Sequence, residues 1–147
     1  MHRRSFLIAA LAAAAASRAS AQAPQNATLY KNPDCSCCDE YASYLRQHGF
    51  KVEVIATQEL AKMQKSKGVP EQLSGCHTTL IGGYVVEGHI PVKSIQRLLR
   101  EKPKITGISL PGMPVGSPGM TGSKEKPFEI YEFVARSKGE PKVYDRE

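Results

Sequence analysis

Three cysteines fall within four residues, as Cys35-Ser36-Cys37-Cys38, and a fourth stands alone at Cys76. Thiolate is the form of cysteine that attacks disulfides and binds metal, so three chemistries are open to this group. The first is structural: an even count in an oxidising compartment suits disulfides, and four cysteines allow three connectivities, although a bond between adjacent Cys37 and Cys38 would be strained. Disulfide frameworks usually spread their cysteines to close long loops, whereas three are concentrated here. The second is thiol–disulfide exchange, since Cys35 and Cys38 form a Cys-x-x-Cys pair with Cys35 as attacker. Cys37 inside that pair would compete for any mixed disulfide, and Cys76-His77-Thr78 lacks the cis-proline that redox domains of this kind place opposite their sulfurs. The third is a soft-metal site. Thiolates select Cu(I), Zn(II) or iron–sulfur over Mg and Ca. Zinc ribbons need two separated Cys-x-x-Cys knuckles and only one is present; ferredoxin spacings are absent. Copper fits best, because Cu(I) accepts low-coordinate thiolate sites, and zinc is the alternative.

Other soft or borderline donors accompany the cysteines. Met113 and Met120 occupy a repeated Pro-Gly-Met at 111–113 and 118–120; thioethers bind Cu(I) and persist where thiols are oxidised, against the plain reading that a loop methionine fills an apolar gap. His89 lies in Glu87-Gly88-His89-Ile90-Pro91, at the mouth between a strand and a helix, and is a candidate ligand. His77 follows Cys76 directly, and strand geometry would turn the two side chains to opposite sides, so only one of them would face the site. His48, at a helix C-terminus, suits the macrodipole instead. Tyr41 and Tyr44 read as packing.

The elements that must position these residues follow from periodicity. Ala27 to Lys31 reads as a strand ended by Asn32-Pro33-Asp34. A helix begins around Cys37 or Cys38, with Cys38, Ala42 and Leu45 at helical spacing, and stops at Gly49. The cysteines at its start would face unsatisfied N–H groups and the positive end of the helix dipole, which favours thiolate. Phe50 to Ile55 alternates as a second strand, and Thr57 caps a helix carrying Leu60 and Met63. After a loop from Val69 to Cys76 come strands at Thr78–Ile81 and Tyr84–Glu87, joined by the hairpin signal Gly82-Gly83. Pro91 opens a third helix buried through Val92, Ile95, Leu98 and Leu99, and Pro103 closes it. The order β-α-β-α-β-β-α, with a cysteine-bearing loop before the first helix, is that of an α/β thioredoxin-like single domain. The Gly-, Pro- and Ser-rich stretch from Pro103 to Pro127 reads as a surface loop from which no packed core can be built. Phe128 to Ala135 reads as an edge strand, and the polar residues 136–147 as a fraying tail.

At 147 residues, 41% of them apolar, the chain has room for one domain and not two. Residues 1–23 read as a cleaved export signal: His2, Arg3 and Arg4, an apolar run from Phe6 to Ala16, then Ala19-Ser20-Ala21 and Ala21-Gln22-Ala23 as cleavage options. Arg3-Arg4-Ser5-Phe6-Leu7 is similar to a twin-arginine signal, with a Sec signal as the other route. Cleavage takes Arg3, Arg4 and Arg18 and no acid from a formal charge of +6, leaving about +3. No basic run points to nucleic acid, and no later apolar stretch is long enough to span a membrane. The domain is expected over 27–135, in the periplasm.

Taken in order, Cys35-Ser36-Cys37-Cys38, Cys76-His77-Thr78, Glu87-Gly88-His89-Ile90-Pro91 and the two Pro-Gly-Met segments make the chain resemble the CopG-type periplasmic copper-resistance family. The resemblance spans about Thr28 to Tyr131. It implies a thioredoxin-like fold, a copper site with Cys35, Cys37, Cys38 and Cys76 as primary ligands, and His89, Met113 and Met120 as further candidates, to which the place of His77 beside Cys76 adds a fourth. It also implies a role in copper detoxification by cycling Cu(I) and Cu(II), alongside other periplasmic copper-handling proteins, with oxidoreductase activity on the metal left open. Three positions depart from the family's usual residues: Ser36 for glycine, Tyr41 for tryptophan, and Thr121 for an acid.

Overall fold

The structure, a computed structural model, describes residues 24–147; the export-signal expectation over 1–23 lies outside the described residues. The order is β1 (Gln25–Lys31), α1 (Ser36–Gln47), β2 (Phe50–Ala56), α2 (Leu60–Ser66), a 3₁₀ turn (Glu71–Leu73), β3 (His77–Ile81), β4 (Tyr84–Glu87), α3 (Val92–Glu101), β5 (Gly107–Ser109), β6 (Glu129–Phe133) and β7 (Lys142–Arg146). All seven strands join one mixed sheet in the order β2-β1-β3-β4-β5-β6-β7. β1 lies parallel to β2 and antiparallel to β3, with Leu29 between Val54 and Thr79. Gly82 and Gly83 both take positive φ, as a two-residue hairpin between β3 and β4 requires.

Neighbouring residues along a strand point to opposite faces, and the core divides accordingly. Val86 joins Leu29, Tyr41, Ala42, Leu45, Ile95 and Leu98 beneath α1 and α3, whereas Val85 joins Val69, Leu73 and Phe133 on the side of the 3₁₀ turn. The stripe expected of α3 is buried through Ile95 and Leu98, each fully enclosed and worth about 1.5–3 kcal/mol relative to exposure. Lys102 ends that helix in the left-handed conformation just before Pro103. Thr57 does not cap α2: the helix starts after Glu59, and the Thr57 hydroxyl accepts the Glu59 N–H in the preceding turn.

The C-terminal third differs from the expectation in three ways. Ile108 and Leu110, inside the stretch read as a coreless loop, are buried, and Gly107–Ser109 pairs parallel with β4. The α3 crossover delivers the chain beside β4, which overrides the local excess of glycine and proline. Residues 129–133 do form a strand, but not at the edge, because the tail pairs antiparallel with it as β7. That tail does not fray. Its polar side chains find partners on α3, where Ser94 Oγ lies 2.9 Å from Asp145 and 2.6 Å from Glu147, and Arg97 meets Asp145 at 3.2 Å.

Candidate metal centre

Cys35 is the N-cap of α1, and its hydroxyl-free side chain makes no capping bond. Its backbone is held from two sides. The Cys35 N–H donates to the Asn32 carbonyl at 3.1 Å, and Lys31 Nζ donates to the Cys35 carbonyl at 2.9 Å while pairing with Asp39 at 2.6 Å. Lys31 is only 5% exposed, at the end of β1. Sequence reasoning missed it, since a lysine before Asn-Pro-Asp reads as solvated.

From this turn the helix start projects three sulfurs, and Cys76, at the entrance to β3, supplies the fourth. The ligand atoms of Cys35, Cys37, Cys38 and Cys76 all lie within 4.8 Å of one another. Cys35 and Cys38 are joined as a disulfide, leaving Cys37 and Cys76 free. The Cys37 thiol approaches Cys35 Sγ at 3.5 Å, and Cys38 Sγ sits 3.5 Å from the Cys76 carbonyl.

A second group shares Cys76. Its Sγ lies 3.3 Å from His77 Nδ1 and 3.3 Å from His89 Nε2. The expectation that only one of Cys76 and His77 faces the site is therefore corrected: β3 begins at His77, so strand alternation does not apply to the residue before it. His89 Nδ1 is 2.7 Å from the Pro118 carbonyl, which can only accept, so Nδ1 carries the proton and Nε2 offers a lone pair to Cys76. The Cys76 thiol donates there, leaving its sulfur to accept from His77 Nδ1–H. His77 Nε2 is then a bare lone pair, buried and without a partner.

Burial sets the protonation. It pushes His77 down to about 3, with His89 adding to the shift, and it lowers His89 as well. Both imidazoles are thus neutral, the form that ligates metal. Burial, reinforced by Cys37, pushes the Cys76 thiol up to about 12. The low thiol pKa expected at the helix start is not found at Cys76, where burial outweighs the nearby helix end.

The Gly- and Pro-rich loop closes over this end. Pro118 takes the His89 bond, and a Cβ at Gly119 would stand 2.8 Å from Tyr41 N and 3.2 Å from the Cys37 carbonyl. Met120 follows, half-buried, while Met113 is 43% exposed. Tyr41 and Tyr44 do pack: Tyr41 Oη donates to the Ile90 carbonyl and the Val92 N–H donates to Tyr44 Oη, each at 2.8 Å, tying α1 to the 88–92 segment. His48 stands apart at the C-cap of α1, against the Tyr44 carbonyl.

A further residue sequence reasoning left without a role is Glu87. Fully buried, it receives the Thr78 hydroxyl on Oε1 and both Gln64 Nε2 and the Gly75 N–H on Oε2, the last two at 3.0 Å. Burial raises its carboxyl to about 7 against these bonds, which pull the other way. A buried carboxylate in a strand gives no periodic signal.

The donor set is sulfur-rich, with two neutral imidazoles and one orphaned lone pair, and it fits a thiophilic ion such as copper or zinc and not Mg or Ca. Among solved structures, a copper resistance protein CopG, form 2, matches at 33% identity and TM-score 0.75, covering 84% of this chain and 98% of its own. Its form 1 matches at 31% identity and TM-score 0.76 with the same coverage. A family profile described as "Protein of unknown function, DUF411" matches residues 73–120, which hold Cys76, His77, Glu87, His89 and both Pro-Gly-Met segments. No curated protein matches.

Proposed function

The chain belongs to the CopG family of copper resistance proteins, and from that premise we propose that it is an exported, periplasmic copper-binding protein that holds Cu(I) through Cys35, Cys37, Cys38 and Cys76. The observation that carries the reading is the convergence of four sulfurs from stretches 38 residues apart into one corner. Among the described residues no helix is long and apolar enough to cross a membrane. Export would rest on residues 1–23, and copper-handling proteins of the same compartment would be the partners. A thioredoxin-like core from β1 to α3 is supported by β1 and β2 running parallel, β3 antiparallel beside β1, and β4 antiparallel beyond it.

In the oxidised form two of the four sulfurs are bonded to each other. Two electrons and two protons open that bond to two thiols, and each thiol must then shed its proton to become a ligand. His89 Nε2 is the acceptor beside the Cys76 proton. His77 Nε2 and Met120 would complete or adjust the coordination, and the loop through Pro118 and Gly119, which packs against His89 and α1, would limit water at the site. Bound copper would supply one-electron chemistry between Cu(I) and Cu(II), the cycling that makes an oxidoreductase role open to this protein.

One observation favours a second reading: the disulfide present is the one a Cys35–Cys38 thiol–disulfide oxidoreductase would use. The two readings separate on Cys37→Ser. An exchanger keeps its activity, whereas a Cu(I) site loses at least about a hundredfold in affinity, the upper end of what even an outer partner contributes. The deciding experiment is an anaerobic competition titration of the reduced mature protein with Cu(I) and Zn(II), read for stoichiometry. Cu(I) is expected to displace Zn(II); Zn(II) prevailing would overturn the copper assignment.

A further inference from the structure

We propose that Glu87 is the positioning residue of the copper site: through Gly75 it fixes where the Cys76 sulfur stands relative to the helix-start thiols and His89. The inference rests on the copper reading above only for its metal readout.

Cys76 is the one thiol of the cluster that no helix positions. It sits at the end of the loop leaving the 3₁₀ turn, one residue before β3 begins. What fixes that point is a closed set of side-chain bonds on the Gly75 peptide. The Gly75 N–H donates to Glu87 Oε2 at 3.0 Å, the Gly75 carbonyl accepts from Gln64 Nε2 at 3.0 Å, and Gln64 Nε2 also reaches Glu87 Oε2 at 3.0 Å. The carboxylate is itself aimed by Thr78, its cross-strand neighbour. Gly75 thereby lies hard against the next segment: a Cβ there would stand 2.9 Å from Gly88 N, so only glycine allows the approach. On the far side of Gly88 comes His89. One buried carboxylate therefore sets both the chain that carries the sulfur and its distance to the chain that carries the imidazole.

The bonds could serve folding alone, and the two roles differ in what conservative replacement does. In Glu87→Gln the amide can donate to the Thr78 hydroxyl and accept from Gln64 and Gly75, keeping the geometry without the charge. In Glu87→Ala the Gly75 peptide loses its partner.

The test is metal-free first. In the oxidised mature protein, Cys37 and Cys76 are the free thiols, and peptide mapping after timed maleimide alkylation reads each separately. Glu87→Ala is expected to speed Cys76 alkylation about tenfold, as expected for a released charge-assisted hydrogen bond, while leaving Cys37 unchanged. Glu87→Gln is expected to stay within about threefold of the parent rate. Cu(I) competition of the reduced variants should follow the same order. An alanine variant that folds and alkylates at the parent rate overturns the proposal, as does a glutamine variant as fast as the alanine one, which would make charge the determinant. If Glu87→Ala does not fold, Glu87→Met, which keeps the volume and removes the acceptor of the Gly75 N–H, replaces it, and an unchanged Cys76 rate there overturns the proposal equally. Altered alkylation with no Cu(I) binding in any form would sink the copper reading and leave the positioning role standing.

Discussion

Cys35, Cys37 and Cys38 stand at the open start of α1 on a turn held by main-chain bonds and Lys31, and two of them are bonded to each other. Cys76, His77 and His89 stand a few ångströms away on the sheet side, where both imidazoles are fully buried and Glu87, Gln64, Thr78 and Pro118 hold the surroundings. The first half can take up two electrons, and its disulfide must be reduced before those two sulfurs can bind metal. The second is aimed by bonds to Pro118, Thr78, Gln64 and Gly75, none of them made by the disulfide sulfurs. A site divided this way can gain or lose its thiolates without rebuilding the part that orients them.

The sharpest way to break that contrast is to change the redox state of one half. With Cys35 and Cys38 oxidised, Cu(I) competition against a chromogenic chelator should be weaker by at least about a hundredfold than in the reduced protein. Equal affinity in both states would mean that Cys37, Cys76 and the imidazoles bind alone, and the helix start would lose its place in the site.

A smaller effect is expected from the sheet side. His89→Leu removes the lone pair facing Cys76 and the bond to the Pro118 carbonyl, so it should weaken Cu(I) by about tenfold or more. His48→Leu, at the far end of α1, should change nothing. Comparable losses from both would show that the histidines act through stability and not through the site.

The two halves also differed in how far the sequence exposed them. Cys35, Cys37 and Cys38 announce themselves because their spacing is local and a turn-then-helix pattern surrounds them. The boundaries of β1, α1, β2, β4 and α3 were legible for the same reason, resting on periodicity within one segment. What failed was long-range. β5 and β7 exist because a partner strand arrives beside them, and Glu87 matters because Gly75 and Gln64 are brought to it. His77 joined the site because Cys76 lies just before the strand, where the alternation of side chains does not hold. None of these is encoded within a window of ten residues.

Acid should separate the halves again, in metal-free oxidised protein. His77 is held neutral to about pH 3, while in the unfolded chain it charges below about 6.5. Its contribution is complete above 6.5 and is lost as pH falls toward 3, on the order of a few kcal/mol. Glu87 has the opposite sign. Its folded value, about 7, lies above the ordinary 4.5, so it stabilises the fold as pH falls from 7 to 4.5. The parent should therefore hold a nearly level melting temperature between 6.5 and 4.5 and drop below that. His77→Gln should flatten the drop, and Glu87→Gln should let it begin near 6.5. A parent whose stability climbs steadily down to pH 3 would remove burial as the force on His77.

The smallest difference is expected within the covering loop. Met113 and Met120 share the same tripeptide, but their surroundings diverge. Met113 is 43% exposed with φ at 45°, whereas Met120 follows Gly119, which lies against the Cys37 carbonyl, and Pro118, which binds His89. Leucine keeps the volume of either side chain and removes only the sulfur. Met120→Leu should therefore weaken Cu(I) by no more than about tenfold, the low end for a partner outside the primary ligands, and Met113→Leu should leave it at the parent value. The ratio of the two affinities, measured in the same chelator competition, reads whether the loop contributes a thioether or only a lid. Equal affinity in both variants assigns the loop to covering alone, and a larger loss at Met113 would require the exposed turn to fold inward when metal binds.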